Sequence, residues 1–185
     1  MDSVVLPASE TAQAFIAKAR SLLGGEYLPK IERCLERLSD EEVWWRANEE
    51  SNSIGNLLLH LAGNARQWIV CGVGGAVDER ARQQEFDERS PVSRNELLAR
   101  IKGTLADVDG VLADFDLARI LEQRQIQGCA VTVLDAIFHV VEHFALHTGQ
   151  IILLTKMLKG VDLKFYDFSG DAPASGWNKS LEPEV

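Results

Sequence analysis

Several things are scarce in this chain of 185 residues, and each scarcity excludes something. There are three cysteines, Cys34, Cys71 and Cys129, an odd and widely spaced set among apolar neighbours. They exclude a disulfide framework and read as reduced thiols, which places the expected compartment in the cytoplasm. Basic residues are outnumbered, 19 against 28 acids, for a formal charge of -9. That balance argues against nucleic acid or an anionic membrane as the main partner, since both call for clustered Lys and Arg. No signal peptide is recognisable, and no unbroken apolar stretch reaches bilayer length. Internal repeats and low-complexity runs are absent. With 46% hydrophobic and 25% charged residues, the composition is that of a globular protein. The length suits a single domain, 1–185, with one core.

Four stretches carry helical periodicity, which predicts an all-α fold, a four-helix bundle. The first, residues 9–38, has apolar Ala12, Phe15, Ile16, Ala19, Leu22 and Leu23, then resumes at Leu28, Ile31, Leu35 and Leu38. Gly24, Gly25 and Pro29 predict a kink or a break into two helices. The second spans residues 53–71. The third opens at Ser93, whose Ser-x-x-Glu spacing to Glu96 is a capping box, and carries the stripe Leu97, Ile101, Leu105, Val108, Leu112 and Phe115. The fourth runs from a Thr132 cap to Lys159, ended by Gly160. Between the second and third lies residues 72–91, glycine-rich and then densely charged. So long a crossover is a lid or a solvated loop, and its charge density favours the loop. Residues 119–128 alternate weakly, as a short extended segment would. From about residue 161 the tail is irregular, but Leu163, Phe165, Tyr166, Phe168 and Trp177 predict that part of it packs back.

The chain has only four histidines, and three of them, His139, His143 and His147, follow one another at intervals of four in the last helical stretch. On a helical wheel they fall within about 40 degrees of His143, on the side shared with Ala136, Val140, Leu154 and Leu158, while Glu142, Lys156 and Lys159 point away. A single core histidine is usually a hydrogen-bonded interior residue. Three together are harder to satisfy, because each buried imidazole needs partners or loses about 1–3 kcal/mol in desolvation. The ends of the row, His139 and His147, are about 12 Å apart along the axis, too far for one ion. A metal therefore takes either the 139/143 or the 143/147 pair. The fourth histidine, His60, offers the missing ligand from another helix. It lies on a polar but uncharged stripe with Ser53, Asn56, Asn64, Gln67 and Cys71, a composition that fits a pocket-lining face better than a solvated one. Histidines aimed inward from two helices are how bundles build metal sites. Three imidazoles leave a position open, as in catalytic sites, and admit Zn, Ni, Fe or Mn.

The segments His143-Phe144-Ala145-Leu146-His147-Thr148-Gly149-Gln150 and Asn52 to Leu61 around His60 resemble the DinB/YfiT-like superfamily of metal-dependent enzymes, and within it a subfamily of unknown function. The resemblance extends from the first helix to about Tyr166. It implies a four-helix bundle in up-down-down-up order, often dimeric, with one divalent metal on three histidines. Carried onto matching positions, the ligands are His60, His143 and His147, and His139 becomes an extra histidine one turn earlier. Relatives include thiol-dependent S-transferases and a maleylpyruvate isomerase that uses a low-molecular-weight thiol. At Phe144, after the first ligand of the pair, many relatives carry Glu, so this chain departs from the pattern there.

The leading expectation is a metal-dependent enzyme, a transferase or hydrolase, that activates a thiol or water against a small-molecule substrate. His139 is the candidate general base, with Glu142 a weaker one. Asn56, Asn64, Gln67 and Gln150 are expected to line the pocket. The alternatives are a non-catalytic metal-binding module and a structural bundle whose histidines are hydrogen-bonded core residues. A DNA-directed role has no basic cluster to support it.

Overall fold

Local capping chemistry marks where four of the helices begin, at Ser39, Ser53, Ser93 and Thr132. A computed structural model describes residues 8–89 and 92–177, so the ends of the expected domain, and Ser90 and Pro91 of the crossover, lie outside the described residues. Helix α1 spans Ala8–Leu22, and a π-helical turn, Leu23–Tyr27, carries it into α2, Leu28–Glu36. The expected kink is thus a widened turn, not a break. Two glycines supply the slack for the wider turn, and Pro29 sits at the start of α2, where its missing N–H costs little. A short α3, Asp40–Val43, follows behind a Ser39–Glu42 capping box. Helix α4 covers Ile54–Ala65, opened by a reciprocal Ser53–Asn56 box, and continues through a second π-turn, Arg66–Cys71.

The charged crossover contains one further helix, α5, Arg82–Asp87. Helix α6 is Arg94–Ala113; Ser93 accepts from the Glu96 N–H at 3.2 Å, and Phe115 lies beyond its end. A hairpin of β1, Gln123–Ile126, and β2, Cys129–Thr132, fills the connection where the sequence predicted extended chain. Helix α7, Val133–Lys159, starts at a Thr132–Asp135 box and stops at Gly160, whose φ of 64° closes the helix in the left-handed region. Strands β3, Tyr166–Asp167, and β4, Ala174–Ser175, form a second small sheet in the tail. The fold is mostly helical, with these two small sheets as additions.

The core lies among α1, α2, α4, α6 and α7 and is filled by Ile31, Leu35, Leu58, Leu61, Ile101, Leu112, Ile137 and Phe144. In α6 the buried positions Leu97, Ile101, Leu105, Val108 and Leu112 are the ones its periodicity marks. Helix α4 packs against α5, α6 and α7, and this juxtaposition positions the site. An 18-residue window within α7 has a mean hydropathy of 1.3, enough by length and composition alone to cross a membrane, although Asp135, Glu142 and the three histidines keep the helix from being an unbroken apolar stretch. One face of α7 enters the core through Val133, Ala136, Ile137, Val140, Phe144 and Ile151, while Phe138, Leu146, Leu153 and Met157 stand exposed on the other side.

The tail packs back in part. Leu163 and Phe165 are buried, Arg33 donates to the carbonyls of Leu163, Lys164 and Gly176, and the Lys30 ammonium sits 4.4 Å from the Trp177 ring centre. Tyr166 and Phe168 remain exposed. Cys34 and Cys71 are buried and Cys129 is exposed; all three are free thiols.

Candidate metal centre

His60 is in the middle of α4, 4% exposed, and faces α7. His143 and His147 occupy successive turns of α7 and are half-buried at the edge of the core, so the histidine row flanks the core instead of pointing into its centre. Phe144 takes the fully buried position between them. The rings of His60, His143 and His147 are mutually close, with centroids 4.8, 5.3 and 4.4 Å apart. One ligand atom from each falls within 4.8 Å of the other two. Zn–N bonds are about 2.0–2.1 Å, so two ligands of one ion stand up to about 4.2 Å apart. His60 Nε2 and His143 Nε2, 2.8 Å apart, already meet that limit.

The protonation of these rings suits a cation. Burial, then the neighbouring imidazoles and Arg80, pushes His143 down to about 3. Burial also lowers His147, against a hydrogen bond to Gln150 that works the other way, and burial lowers His139. All three are neutral near pH 7, the state in which imidazole binds metal. His147 Nδ1 is 2.6 Å from the Gln150 side-chain carbonyl, so Nδ1 carries the proton and Nε2 keeps its lone pair.

His139 is outside the three-ring group. It stacks on Trp68 at 4.1 Å and on His143 at 5.4 Å, and its Nε2 is 3.1 Å from Asn64 Nδ2. Beside it, Asn64 Oδ1 and Trp68 Nε1 are buried with no partner among the described residues. Asn56 is fully buried, and its amide donates to the carbonyls of Glu85 and Glu88, so this side chain fastens the crossover. Gln67 joins Arg80 and Asp78. Gln150 is exposed next to His147. Glu142 is exposed, as the wheel predicts.

The crossover corrects its expected character as a solvated loop. It lays Asp78, Arg80, Glu85 and Phe86 against α4. Glu85 Oε2 is 2.8 Å from His60 Nδ1, and Arg80 grips the same carboxylate through both oxygens at 2.7 and 2.8 Å. The Phe86 ring covers His60 at 4.6 Å. Burial alone would raise the Glu85 carboxyl, but the hydrogen bonds from His60 and Arg80 outweigh it and hold the group below its usual range. In a run this charged, hydration looked cheaper than burial, and the sequence could not show that Arg80 neutralises Glu85 inside. The one available signal was Phe86, the single aromatic in residues 78–89. A cavity of ≈ 400 Å³ opens behind this segment, lined by Gln67, Cys71, Asp78, Arg80 and Glu85 but by none of the histidines.

Comparison with known proteins agrees with the fold. A crystal structure of a DinB-like protein from Bacillus cereus superposes with a TM-score of 0.58 at 15% identity, covering 74% of this chain and 88% of that one. At that identity the likeness establishes the fold alone. No curated protein matches. The family model described as protein of unknown function (DUF1572) matches residues 10–169. The chain therefore belongs to the DUF1572 family and has a DinB-like helical fold.

Proposed function

We propose that this protein is a metal-dependent enzyme, a thiol-using transferase or a hydrolase, whose divalent ion is held by His60, His143 and His147 in a four-helix bundle of up-down-down-up order. The observation that carries this reading is the convergence of three imidazoles from two helices, with ligand atoms within 4.8 Å. Zn, Ni, Fe and Mn all accept such a donor set. A bound ion with an open position lowers the pKa of water or a thiol and polarises a carbonyl.

The chain's own residues do the rest. His143 Nε2 must surrender the proton it shares with His60 Nε2 before both can act as ligands. His139, stacked on the first ligand of the pair and hydrogen-bonded to Asn64, is the group we assign to proton transfer with a small-molecule substrate. Asn64 Oδ1 and Trp68 Nε1, unpartnered among the described residues, offer an acceptor and a donor beside it. Gln150 holds His147, and Gln67 connects the site to the cavity behind the crossover. Cytoplasmic location, a low-molecular-weight thiol as co-substrate and a homodimer that covers the exposed apolar face of α7 belong to the same reading.

Elemental analysis of protein purified without added metal tests it, beside His60→Ala. Near-stoichiometric divalent metal is expected in the wild type and background in the variant, followed by metal-dependent turnover in a panel of thiol–electrophile pairs and hydrolase substrates. Background metal in both would sink the proposal. One observation favours a second reading: the 2.8 Å contact between His60 and His143 pairs the Nε2 atoms of the two rings without an ion. In a structural protein of that kind, added metal leaves thermal stability unchanged.

A further inference from the structure

We infer that Glu85 is a positioning residue that holds His60 in its Nδ1–H tautomer, so that the Nε2 lone pair is presented to the His143–His147 side of the site. The inference rests on the metal-centre reading only for its consequence, since the tautomer itself is a property of the chain.

His60 Nδ1 has two neighbours, Glu85 Oε2 at 2.8 Å and Arg80 Nη2 at 3.2 Å. A guanidinium nitrogen only donates and a carboxylate only accepts, so both cannot be satisfied by Nδ1 at once. The shorter contact decides: an unprotonated Nδ1 would oppose its lone pair to a carboxylate oxygen at 2.8 Å. Arg80 Nη2 already donates to that same oxygen at 2.8 Å, and its Nε and Nη1 are spent on Glu85 and Gln67. The proton therefore sits on Nδ1, and in the neutral ring, which carries a single N–H, Nε2 is free to accept. This is the arrangement by which a carboxylate orients a histidine ligand and raises its basicity.

The approach of Glu85 is built into α4. Gly63 is one turn beyond His60, and a Cβ there would collide with the Glu85 carboxylate and press on Arg80 Nε. Asn56, one turn before His60, ties down the Glu85 backbone carbonyl at 2.8 Å. Gly63 and Asn56 thus bracket the histidine and fasten the crossover on both sides of it. Side-chain exposure of the His60–Glu85 pair is 6% and 10%, which shields the contact from water.

Long-range proton–nitrogen NMR of the metal-free full chain tests the tautomer directly. The wild type should show a protonated His60 Nδ1 and an unprotonated Nε2. Glu85→Gln, whose amide oxygen still accepts, should retain that pattern, and Glu85→Ala should lose it. Zn(II) competition titration is the second readout, with affinity about 10–100-fold weaker in Glu85→Ala. Gly63→Ala, which alters no polar group, should weaken binding in the same direction by moving the carboxylate away. Circular dichroism confirms that each variant folds; should Glu85→Ala not fold, the wild-type spectrum and Gly63→Ala carry the test. A wild-type His60 protonated on Nε2, or unchanged tautomer and affinity within twofold in folded Glu85→Ala, would overturn the inference. A wild type with the Nδ1–H pattern that binds no Zn(II) would support Glu85 as positioning residue and overturn the metal reading instead.

Discussion

His143 is the residue where electrostatics and packing meet. Burial and three neighbouring imidazoles, with Arg80 beyond them, push its pKa down to about 3 from an ordinary value of 6.5. In the unfolded chain the same imidazole takes up a proton near its ordinary value. Between about pH 6.5 and about pH 3 the unfolded state therefore binds more protons, so stability rises with pH across that window and is lost as pH falls through it. Melting temperatures of the metal-free protein should drop as the solution is acidified below about pH 6.5, and His143→Gln should flatten that dependence. Equal pH slopes for variant and wild type would assign the effect to other groups. By contrast, burial raises the Cys34 thiol to about 11. Cys34 is thus protonated and inert at neutral pH.

At the scale of elements, α7 shows what a sequence discloses well. Its first residue follows a Thr132–Asp135 capping box and its last precedes Gly160 at φ 64°. Both are local devices, written within a few residues, and were readable from residue type alone. Thr132→Ala should cost about 1 kcal/mol. Gly160→Ala has open space for its methyl group but a strained backbone, and should also cost about 1 kcal/mol. The two ends are far apart, so the double variant should lose close to the sum in urea unfolding, with the histidine NMR signals unmoved. A double variant no less stable than either single one would show that the ends of α7 are coupled or frayed. The π-turns at Leu23–Tyr27 and Arg66–Cys71 were less legible. A widened turn depends on how the flanking helices pack, and glycines predict only that the chain can deviate there.

For the whole molecule, binding and stability are linked. A divalent ion that binds only the folded chain stabilises it by about 2.7 kcal/mol at a free concentration 100 times its dissociation constant. Zn(II) should therefore raise the melting temperature of the wild type, chelation should reverse the shift, and His60→Ala should show none. A shift that survives in His60→Ala would place the ion elsewhere. The periodicity of the apolar residues by itself determined the long helices and most of the core stripe on α6, but not the short α3 and α5, because burial of one face imposes a repeat only over several turns. The spacing of His139, His143 and His147 determined that they share a side of one helix and that no single ion spans the row. Tertiary structure alone decided the rest. It placed His60 across from His143 and His147, set His139 apart with Trp68 and Asn64, and folded the charged crossover inward. The reason is that charge in a sequence reads as hydration, whereas Arg80 and Glu85 are separated by five positions and neutralise each other only when α4 supplies a buried histidine and a glycine for them to rest against.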